Sequence, residues 1–228
     1  MAEQTPITLN HFAPATFTPA YWALAPGARA EVRRAWLDRL NHGVDALHLY
    51  QTFGLGQGAD LLLWTAMRHA DATAPARFFA ALAAAAAPSR PYITLGSPLW
   101  GFTRPSQYTK TRSTQELDPF TGGRARYLVV YPFVKSAEWY LSSREERGRM
   151  MGGHIKVGKQ YPEITQLLLY SFGLQDQEFV VVYEMDDLRQ FSGLVEELRG
   201  TEARPFTVRD WPLHAGVRQS SEELATWL

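Results

Sequence analysis

The alternation of hydrophobic and polar positions along the chain predicts one structural unit used twice. Residues 47–55 read LHLYQTFGL and residues 167–174 read LLLYSFGL, so that both give L-x-L-Y and F-G-L when one residue is dropped. A polar turn, a second strand-like run and a helix-like run follow each stretch. Convergent hairpin patterning is the alternative, but the shared F-G-L at the same point favours duplication.

Each half is predicted to follow the order β-α-β-β-α-β, which is the ferredoxin-like order. In the first half we expect strands near 7–17, 47–55, 60–65 and 92–99, with helices at 29–40 and 75–86. In the second half we expect strands near 126–134, 167–174, 178–184 and 205–213, with helices at 142–159 and 187–199. Two such sheets can pack together or join into one barrel. The Thr-, Ser-, Pro- and Gly-rich stretch 101–123 is the predicted connecting loop.

Composition and charge remove several classes of function. Lys plus Arg and Asp plus Glu both number 23, so the chain lacks the excess positive charge of nucleic-acid binders. The absence of cysteine excludes disulfides, a thiolate nucleophile and cysteine-based metal sites. Neither an export signal nor an integral membrane segment is expected, because the longest apolar block, 80–87, is too short to span a bilayer. A cytoplasmic setting is predicted.

Of the six histidines, His154 has the most suggestive setting. The S-x-x-E pairs that begin at residues 142 and 143 predict the start of a helix, on which His154 shares a stripe with Arg147, Met150 and Met151. Glycines at 152, 153 and 158 suggest close approach of a flat partner. A core histidine bonded to a backbone carbonyl is the alternative. His11, His42, His69 and His214 are predicted to face solvent, and no H-x-x-x-H spacing occurs.

The strand before this helix carries a second candidate feature. Tyr131, Phe133 and Lys135 alternate with other residues and therefore share one face of the strand. A phenol, an aromatic ring and an ammonium together suit an aromatic ligand that bears carboxylates. The alternative is a core tyrosine beside an exposed lysine at a strand end.

These residues belong to a series of motifs that resembles a known family. Y-P-F-x-K, E-W-Y-L, E-E-R, M-x-x-H and Y-S-F-G-L-x-D-x-E-F occur in this order between residues 131 and 179. The series is similar to the haem-binding half of the chlorite-dismutase and coproheme-decarboxylase superfamily. The strong match covers about residues 127–210, and the first half matches mainly in architecture.

The resemblance implies a fold and an assembly. The fold class is α+β, with two ferredoxin-like β-α-β-β-α-β halves forming a dimeric α+β barrel. Residues 1–120 would form the N-terminal half with the connecting loop, and residues 121–228 the haem-binding half. The family usually assembles as a homopentamer, which we expect here.

The resemblance also implies roles for individual residues. His154 matches the proximal iron ligand, Tyr131 the tyrosine that coproheme decarboxylases use as a radical, and Lys135 the lysine that meets a porphyrin propionate. Glu202 is a candidate partner for the second nitrogen of His154. The remaining predicted porphyrin contacts are Tyr108, Trp139, Tyr140 and Met151.

The side of the iron opposite His154 separates two activities within the family. Chlorite dismutases have an arginine there, on the strand that runs here from residue 165. Counting back from the F-G-L turn reaches Gln166, and counting forward from His154 reaches Leu167. We prefer Gln166 because the turn fixes the register better. In decarboxylases with a distal histidine, that residue falls where this chain has Ser113 and Thr114. Chlorite decomposition is therefore disfavoured.

The function implied is peroxide-dependent oxidative decarboxylation of two propionates of iron-coproporphyrin III, which gives haem b. Coproheme and hydrogen peroxide would be the reaction partners. The alternatives are a haem-dependent peroxidase or chlorite-handling enzyme, and a non-catalytic haem-binding homologue.

Overall fold

The computed structural model describes residues 7–56, 58–105 and 113–228. Tyr108, one of the predicted porphyrin contacts, lies outside them. The elements of the first half are β1 (Thr8–Phe17), α1 (Pro19–Trp22), α2 (Pro26–Gly43), β2 (Ala46–Gln51), β3 (Leu61–Arg68), α3 (Ala74–Ala86), β4 (Ile93–Leu95) and β5 (Leu99–Phe102). Those of the second are β6 (Tyr127–Lys135), α4 (Ala137–Leu141), α5 (Arg144–Gly158), β7 (Thr165–Tyr170), β8 (Phe179–Met185), α6 (Leu188–Arg199), β9 (Thr207–Arg209), β10 (His214–Gln219) and α7 (Ser221–Leu224).

The described strands form one antiparallel sheet in which the two halves repeat the same order. The first half pairs as β2-β3-β1-β5, and the corresponding strands of the second half pair in the same order as β7-β8-β6-β10. The short strand β4 lies beside β1, and β9 lies beside β6. The halves meet twice, where β5 pairs β7 and where β10, which also pairs β6 of its own half, pairs β2. The pairings of eight strands therefore form a closed circuit. The predicted α+β class is confirmed, and both halves have the ferredoxin-like strand order.

The inner face of this circuit holds a core to which both halves contribute. Because side chains alternate across a strand, every second residue points inward. The cluster contains Phe12, Tyr50, Leu62, Trp64 and Leu99 from the first half and Leu128, Val130, Leu167, Leu169, Val180 and Val182 from the second. Leu117, in the connection between the halves, belongs to the same cluster. The two halves thus share one interior core.

The outer faces of the two halves are packed differently. In the first half, Trp36, Leu37 and Leu40 of α2 pack against the sheet and fill that face. In the second half, Phe191 and Leu194 of α6 cover part of the sheet. The remainder of the second outer face lines a cavity.

Three details of the sequence interpretation were wrong. The stretch 92–99 is not one strand, because it contains β4 and the first residue of β5. The strand that closes the second half is β10, whereas 205–213 contains only the short β9. His11 is buried in β1, at 8% exposure, since it packs against Phe78 and Phe79, and His214 is half-buried in β10. The boundary at residues 120 and 121 falls between β5 and β6 and stays a prediction.

Within the described ranges, no helix has both the length and the apolar character needed to cross a bilayer.

Glycine permits close approach at both junctions between the halves. A Cβ added to Gly216 of β10 would lie 2.6 Å from the Cβ of Tyr50, and one added to Gly101 of β5 would lie 2.7 Å from the carbonyl oxygen of Tyr170. The Tyr170 carbonyl oxygen belongs to the backbone and the Tyr50 Cβ is bonded directly to it, so a change of side-chain rotamer cannot relieve either clash. We expect Gly216→Ala to lower the free energy of unfolding by about 1–3 kcal/mol, measured by urea denaturation.

Gly122→Ala is the matched control, because nothing lies within 4 Å of its added Cβ. It should change the free energy of unfolding by less than about 0.5 kcal/mol. Equal effects of the two substitutions would show that the junction does not require glycine.

Candidate functional site

A cavity of about 1420 Å³ lies between the outer face of β6, β7 and β8 and the helices of the second half. The connecting segment 113–120 forms another part of its wall. Aromatic and aliphatic side chains dominate the lining near the sheet, among them Tyr131, Phe133, Leu168, Tyr170, Phe179 and Val181. Cationic side chains also line it: Arg68, Arg104, Lys135, Arg147, Lys159, Arg199 and Arg204. The cavity therefore suits a large, mostly apolar ligand that carries negative groups.

His154 lies on the cavity wall from helix α5. The helix begins where predicted, because the Ser143 hydroxyl accepts a hydrogen bond from the Glu146 amide while the Glu146 carboxylate accepts one from the Ser143 amide. Burial lowers the pKa of His154 to about 4, and the charge of Lys135 adds to the shift. No hydrogen bond contributes to that shift. The imidazole is therefore neutral at pH 7 and retains a lone pair that can bind a metal ion.

Tyr131 lines the cavity together with Phe133 and Lys135 of the same strand, although the pairing of β6 shifts register between Val134 and Lys135. Its ring stacks on that of Tyr183, with the centroids 6.2 Å apart. Burial raises the pKa of Tyr131, so the phenol is protonated at neutral pH.

A group of three charged side chains lies near the Tyr131 phenol. The Asp210 carboxylate accepts hydrogen bonds from Arg199 and Arg204, each at 2.7 Å. Burial alone would raise the pKa of Asp210, but these hydrogen bonds outweigh it and hold the pKa below its usual value. Asp210 is therefore a carboxylate at neutral pH, and its charge raises the pKa of Tyr131 while the two guanidinium charges lower it.

The Lys135 ammonium lies over the Trp139 ring, 4.6 Å from the centroid. It donates hydrogen bonds to the Ala203 carbonyl and the Thr207 hydroxyl, both at 3.0 Å. Burial lowers the pKa of Lys135 to about 8, with Arg204 adding to the shift and Glu178 opposing it. The ammonium is thus charged at pH 7 but only moderately basic.

The remaining predicted contacts surround this lysine and the helix that carries His154. Trp139 is buried at 5% exposure, and Met151 packs against the same cluster. Tyr140 lines the cavity and donates a hydrogen bond to the Glu178 carboxylate. The structure therefore brings Trp139, Tyr140 and Met151 together with His154, Tyr131 and Lys135 on one cavity.

The register of β7 favours Gln166 over Leu167 as the cavity residue of the predicted distal strand. Both residues contribute to the cavity lining, but Gln166 is exposed, whereas Leu167 is buried in the interior cluster. Gln166 pairs with Tyr183 across β8, which places it on the same outer face as Tyr131. Ser113 and Thr114 also line the cavity.

One expectation for the surroundings of His154 does not match the structure. Glu202 does not reach this histidine, because its side chain is 61% exposed and pairs with Arg149 at the surface. Gly152 and Gly153 are exposed, and an added Cβ would meet nothing within 4 Å. No protein neighbour explains these two glycines, and the approach of a flat partner stays a prediction.

Sequence reasoning missed the arginines of the cavity. Arg147 fixes the turn between α4 and α5, since it donates to the carbonyls of Tyr140 and Ser142. Arg199 and Arg204 lie on different elements and meet only through Asp210. The E-E-R motif includes Arg147 but does not indicate its contacts. No local sequence spacing indicates that Arg199 and Arg204 lie on the cavity.

The chemistry of the cavity fits an iron porphyrin with carboxylate substituents. Within the described part of the chain, no three His, Asp or Glu side chains cluster in a way that could hold a metal ion. A single neutral imidazole beside aromatic and cationic side chains instead suits a metal ion that is already coordinated by an organic macrocycle, such as the iron of a porphyrin. His154 would be its ligand, and Lys135 and the arginines would meet its carboxylates.

Comparison with known proteins identifies the family. Residues 28–219 match the chlorite dismutase family. The chain belongs to this family. It is similar to the coproheme decarboxylase of Mycolicibacterium smegmatis, with 32% identity over 219 residues and 89% coverage of both chains.

Solved structures of this family have the same fold. The chlorite dismutase of Candidatus Nitrospira defluvii in complex with imidazole has a TM-score of 0.81 at 21% identity, covering 96% of this chain and 94% of that one. A variant of that enzyme in complex with cyanide has a TM-score of 0.80 at 22% identity, covering 96% and 93%.

The lowered pKa of Lys135 can be tested directly. The chain has four lysines, so ¹³C-methylation of the lysines gives few NMR signals, and Lys135→Arg assigns the one of interest. We expect this signal to titrate near pH 8, because burial disfavours the charged ammonium. If all the signals titrate near the usual lysine value, Lys135 is not buried as described.

Proposed function

We propose that this chain binds iron-coproporphyrin III and, with hydrogen peroxide as oxidant, decarboxylates two of its propionates to give haem b. The observation that carries the proposal is the meeting of a neutral His154, a protonated Tyr131 and a charged Lys135 on one cavity large enough for a porphyrin. The similarity to a coproheme decarboxylase over most of the chain supports it. A homopentameric assembly and a cytoplasmic location remain predictions.

The residues that line the cavity from the helices of the second half and those that line it from β6, β7 and β8 would have different roles. His154 would bind the iron through its unprotonated nitrogen, and the aromatic wall would pack against the macrocycle. Lys135 and the cavity arginines would hold the carboxylates by charge-assisted hydrogen bonds. When bound, the iron supplies the redox chemistry with peroxide that amino-acid side chains lack.

The role proposed for Tyr131 is to act on a propionate. Each decarboxylation consumes one propionate, one hydrogen peroxide and one proton, and it yields a vinyl group, carbon dioxide and two waters. The propionate thus loses two electrons, and peroxide gains them. The raised pKa keeps a hydrogen on the Tyr131 phenol. Tyr131 can lose that hydrogen atom and then recover one from the propionate chain, while Lys135 orients the carboxylate.

The sheet side of the cavity favours this reaction over chlorite decomposition. Gln166 is an uncharged amide where the family resemblance places the arginine of chlorite dismutases. Gln166 therefore offers an oxyanion such as chlorite a neutral amide in place of a guanidinium charge.

Replacement of His154 tests the iron ligand. Loss of a residue that hydrogen-bonds to a metal ligand lowers metal affinity by roughly 10–100-fold. We expect His154→Ala, which removes the proposed ligand itself, to weaken coproheme binding by more than this. Coproheme titration followed by the Soret band measures both the affinity and the coordination. His42→Ala is the control, because His42 is exposed on α2. An unchanged spectrum for His154→Ala would refute the assignment.

Replacement of Tyr131 tests the reaction. Peroxide titration of the coproheme-loaded protein, followed by the mass of the porphyrin, should show loss of two carboxyl groups. We expect Tyr131→Phe to bind coproheme with unchanged affinity and to convert none of it, because the hydrogen of the phenol is lost. Tyr92→Phe, in the first half, should convert normally.

Two outcomes of this experiment would overturn parts of the proposal. Full conversion by Tyr131→Phe would exclude the radical role. Peroxidase activity without any change in porphyrin mass in the wild type would favour a haem-dependent peroxidase instead.

A further inference from the structure

A second tyrosine, Tyr183, lies next to Tyr131 on the outer face of the sheet. Tyr131 of β6 pairs with Val181 of β8, and Tyr183 is two residues further along β8. Because residues two apart on a strand point to the same face, the two tyrosines are diagonal neighbours. Their rings are stacked, with the centroids 6.2 Å apart and the planes at 27°. Both side chains line the cavity.

Tyr183 is enclosed by the packing of α6 against the sheet. It is 4% exposed and belongs to the cluster that contains Phe191 and Leu194. Its ring meets that of Phe191, with the centroids 5.2 Å apart. Tyr131 packs against the same cluster but is less fully buried. A radical on Tyr183 would therefore be better shielded from water and from dissolved reductants than a radical on Tyr131.

Both phenols keep their hydrogen at neutral pH. Burial raises the pKa of Tyr183 well above its usual value, and the negative charge of an ionised Tyr131 and a hydrogen bond between the two hydroxyls add to this shift. The same hydrogen bond lowers the pKa of Tyr131, but burial outweighs it. A phenol can both donate and accept a hydrogen bond, so the two oxygens share a path along which a hydrogen atom can move.

The next pair of rings along these two strands cannot take part in such an exchange. Phe133 of β6 stacks on Phe179 of β8, with the centroids 4.6 Å apart. Phenylalanine has no hydroxyl hydrogen to give up. On β7, the residue that pairs with Tyr183 is Gln166, whose amide is not readily oxidised. The neighbour of Tyr131 on β8 is therefore suited to redox chemistry in a way that these surrounding side chains are not.

We propose that Tyr183 is a second redox-active residue, which exchanges its hydroxyl hydrogen atom with oxidised Tyr131; this role rests on the proposed function. The O–H bond of Tyr183 breaks and that of Tyr131 forms, so that one electron and one proton move together and the radical passes to Tyr183. The reverse transfer returns the radical to Tyr131, which then acts on the propionate. Hydrogen peroxide is the source of the oxidising equivalent, and the exchange itself consumes nothing.

Replacement of Tyr183 by 3-aminotyrosine tests the exchange. This amino acid is more easily oxidised than tyrosine, so it should trap a radical that reaches position 183. We expect peroxide treatment of coproheme-loaded Tyr183→3-aminotyrosine to give an aminotyrosyl radical in the EPR spectrum and to abolish haem b formation. Absence of that radical would overturn the proposal.

Tyr127→3-aminotyrosine is the matched control. Tyr127 packs against the same outer cluster but is not part of the described cavity lining. This variant should convert coproheme as the wild type does and give no aminotyrosyl radical. An equal signal from positions 127 and 183 would show that oxidation spreads through the protein without selecting Tyr183.

A double variant shows whether the radical arrives through Tyr131. When Tyr131→Phe is combined with 3-aminotyrosine at position 183, we expect the aminotyrosyl signal to be lost, because the exchange partner is missing. Persistence of the signal would mean that position 183 is oxidised directly, which contradicts an exchange with Tyr131.

Tyr183→Phe gives a second measurement that does not depend on the folding of the aminotyrosine variant. It keeps the ring and removes only the hydroxyl, so we expect unchanged coproheme affinity. More peroxide should be consumed per haem b than in the wild type, because radicals on Tyr131 are lost to other reactions. Tyr127→Phe should consume the wild-type amount. An unchanged peroxide requirement for Tyr183→Phe would mean that Tyr183 has only a structural role.

These measurements separate the two proposals. If the wild type fails to convert coproheme while the aminotyrosyl radical forms at position 183 and depends on Tyr131, the decarboxylase function is wrong and the exchange stands. If the wild type converts coproheme and both Tyr183 variants match it without an aminotyrosyl radical, the function stands and the exchange is wrong.

Discussion

The packing of one sheet face determines what this chain can bind. Both halves have the same strand order, and in each half helices lie against the outer face of the sheet. Trp36, Leu37 and Leu40 fill that face in the first half. In the second half, Tyr131, Val181 and Leu168 of the sheet line the cavity. The cavity lies where the helices of the second half do not cover the outer face of the sheet that helix α2 covers in the first half. The interior core, to which both halves contribute, stabilises the fold without side-chain packing on that part of the face.

Much of this organisation was predictable from the sequence. The repeated L-x-L-Y and F-G-L patterns predicted the duplication, and the capping residues at Ser143 and Glu146 predicted the start of the helix that carries His154. Alternation along β6 predicted that Tyr131 and Phe133 share a face, and Lys135 lines the same cavity although the strand pairing shifts register between Val134 and Lys135. These features depend on residues close together in the chain, where periodicity and capping rules apply.

The features that escaped prediction depend on contacts between distant residues. The closing strand β10 was missed because its sequence, HAGVRQ, is weakly apolar, and it forms by pairing with both β2 and β6. His11 looked polar and exposed, although its strand is covered on that face by α3. Glu202 was assigned to His154 by position in the chain, but the nearby Arg149 on the surface side of α5 engages it instead. Such outcomes depend on how elements pack, which no local pattern specifies.

Burial gives the three main side chains of the cavity the protonation states that the proposed binding of a carboxylate-bearing porphyrin needs. It lowers the pKa of His154 to about 4 and that of Lys135 to about 8, and it raises that of Tyr131. His154 is therefore neutral above about pH 4, and Lys135 is charged below about pH 8. Between these values the cavity offers a free imidazole, a positive charge and an intact phenol at the same time. An exposed histidine would be partly protonated over much of this range, so the burial that forms the cavity also keeps His154 in the neutral form that the proposed iron ligation needs.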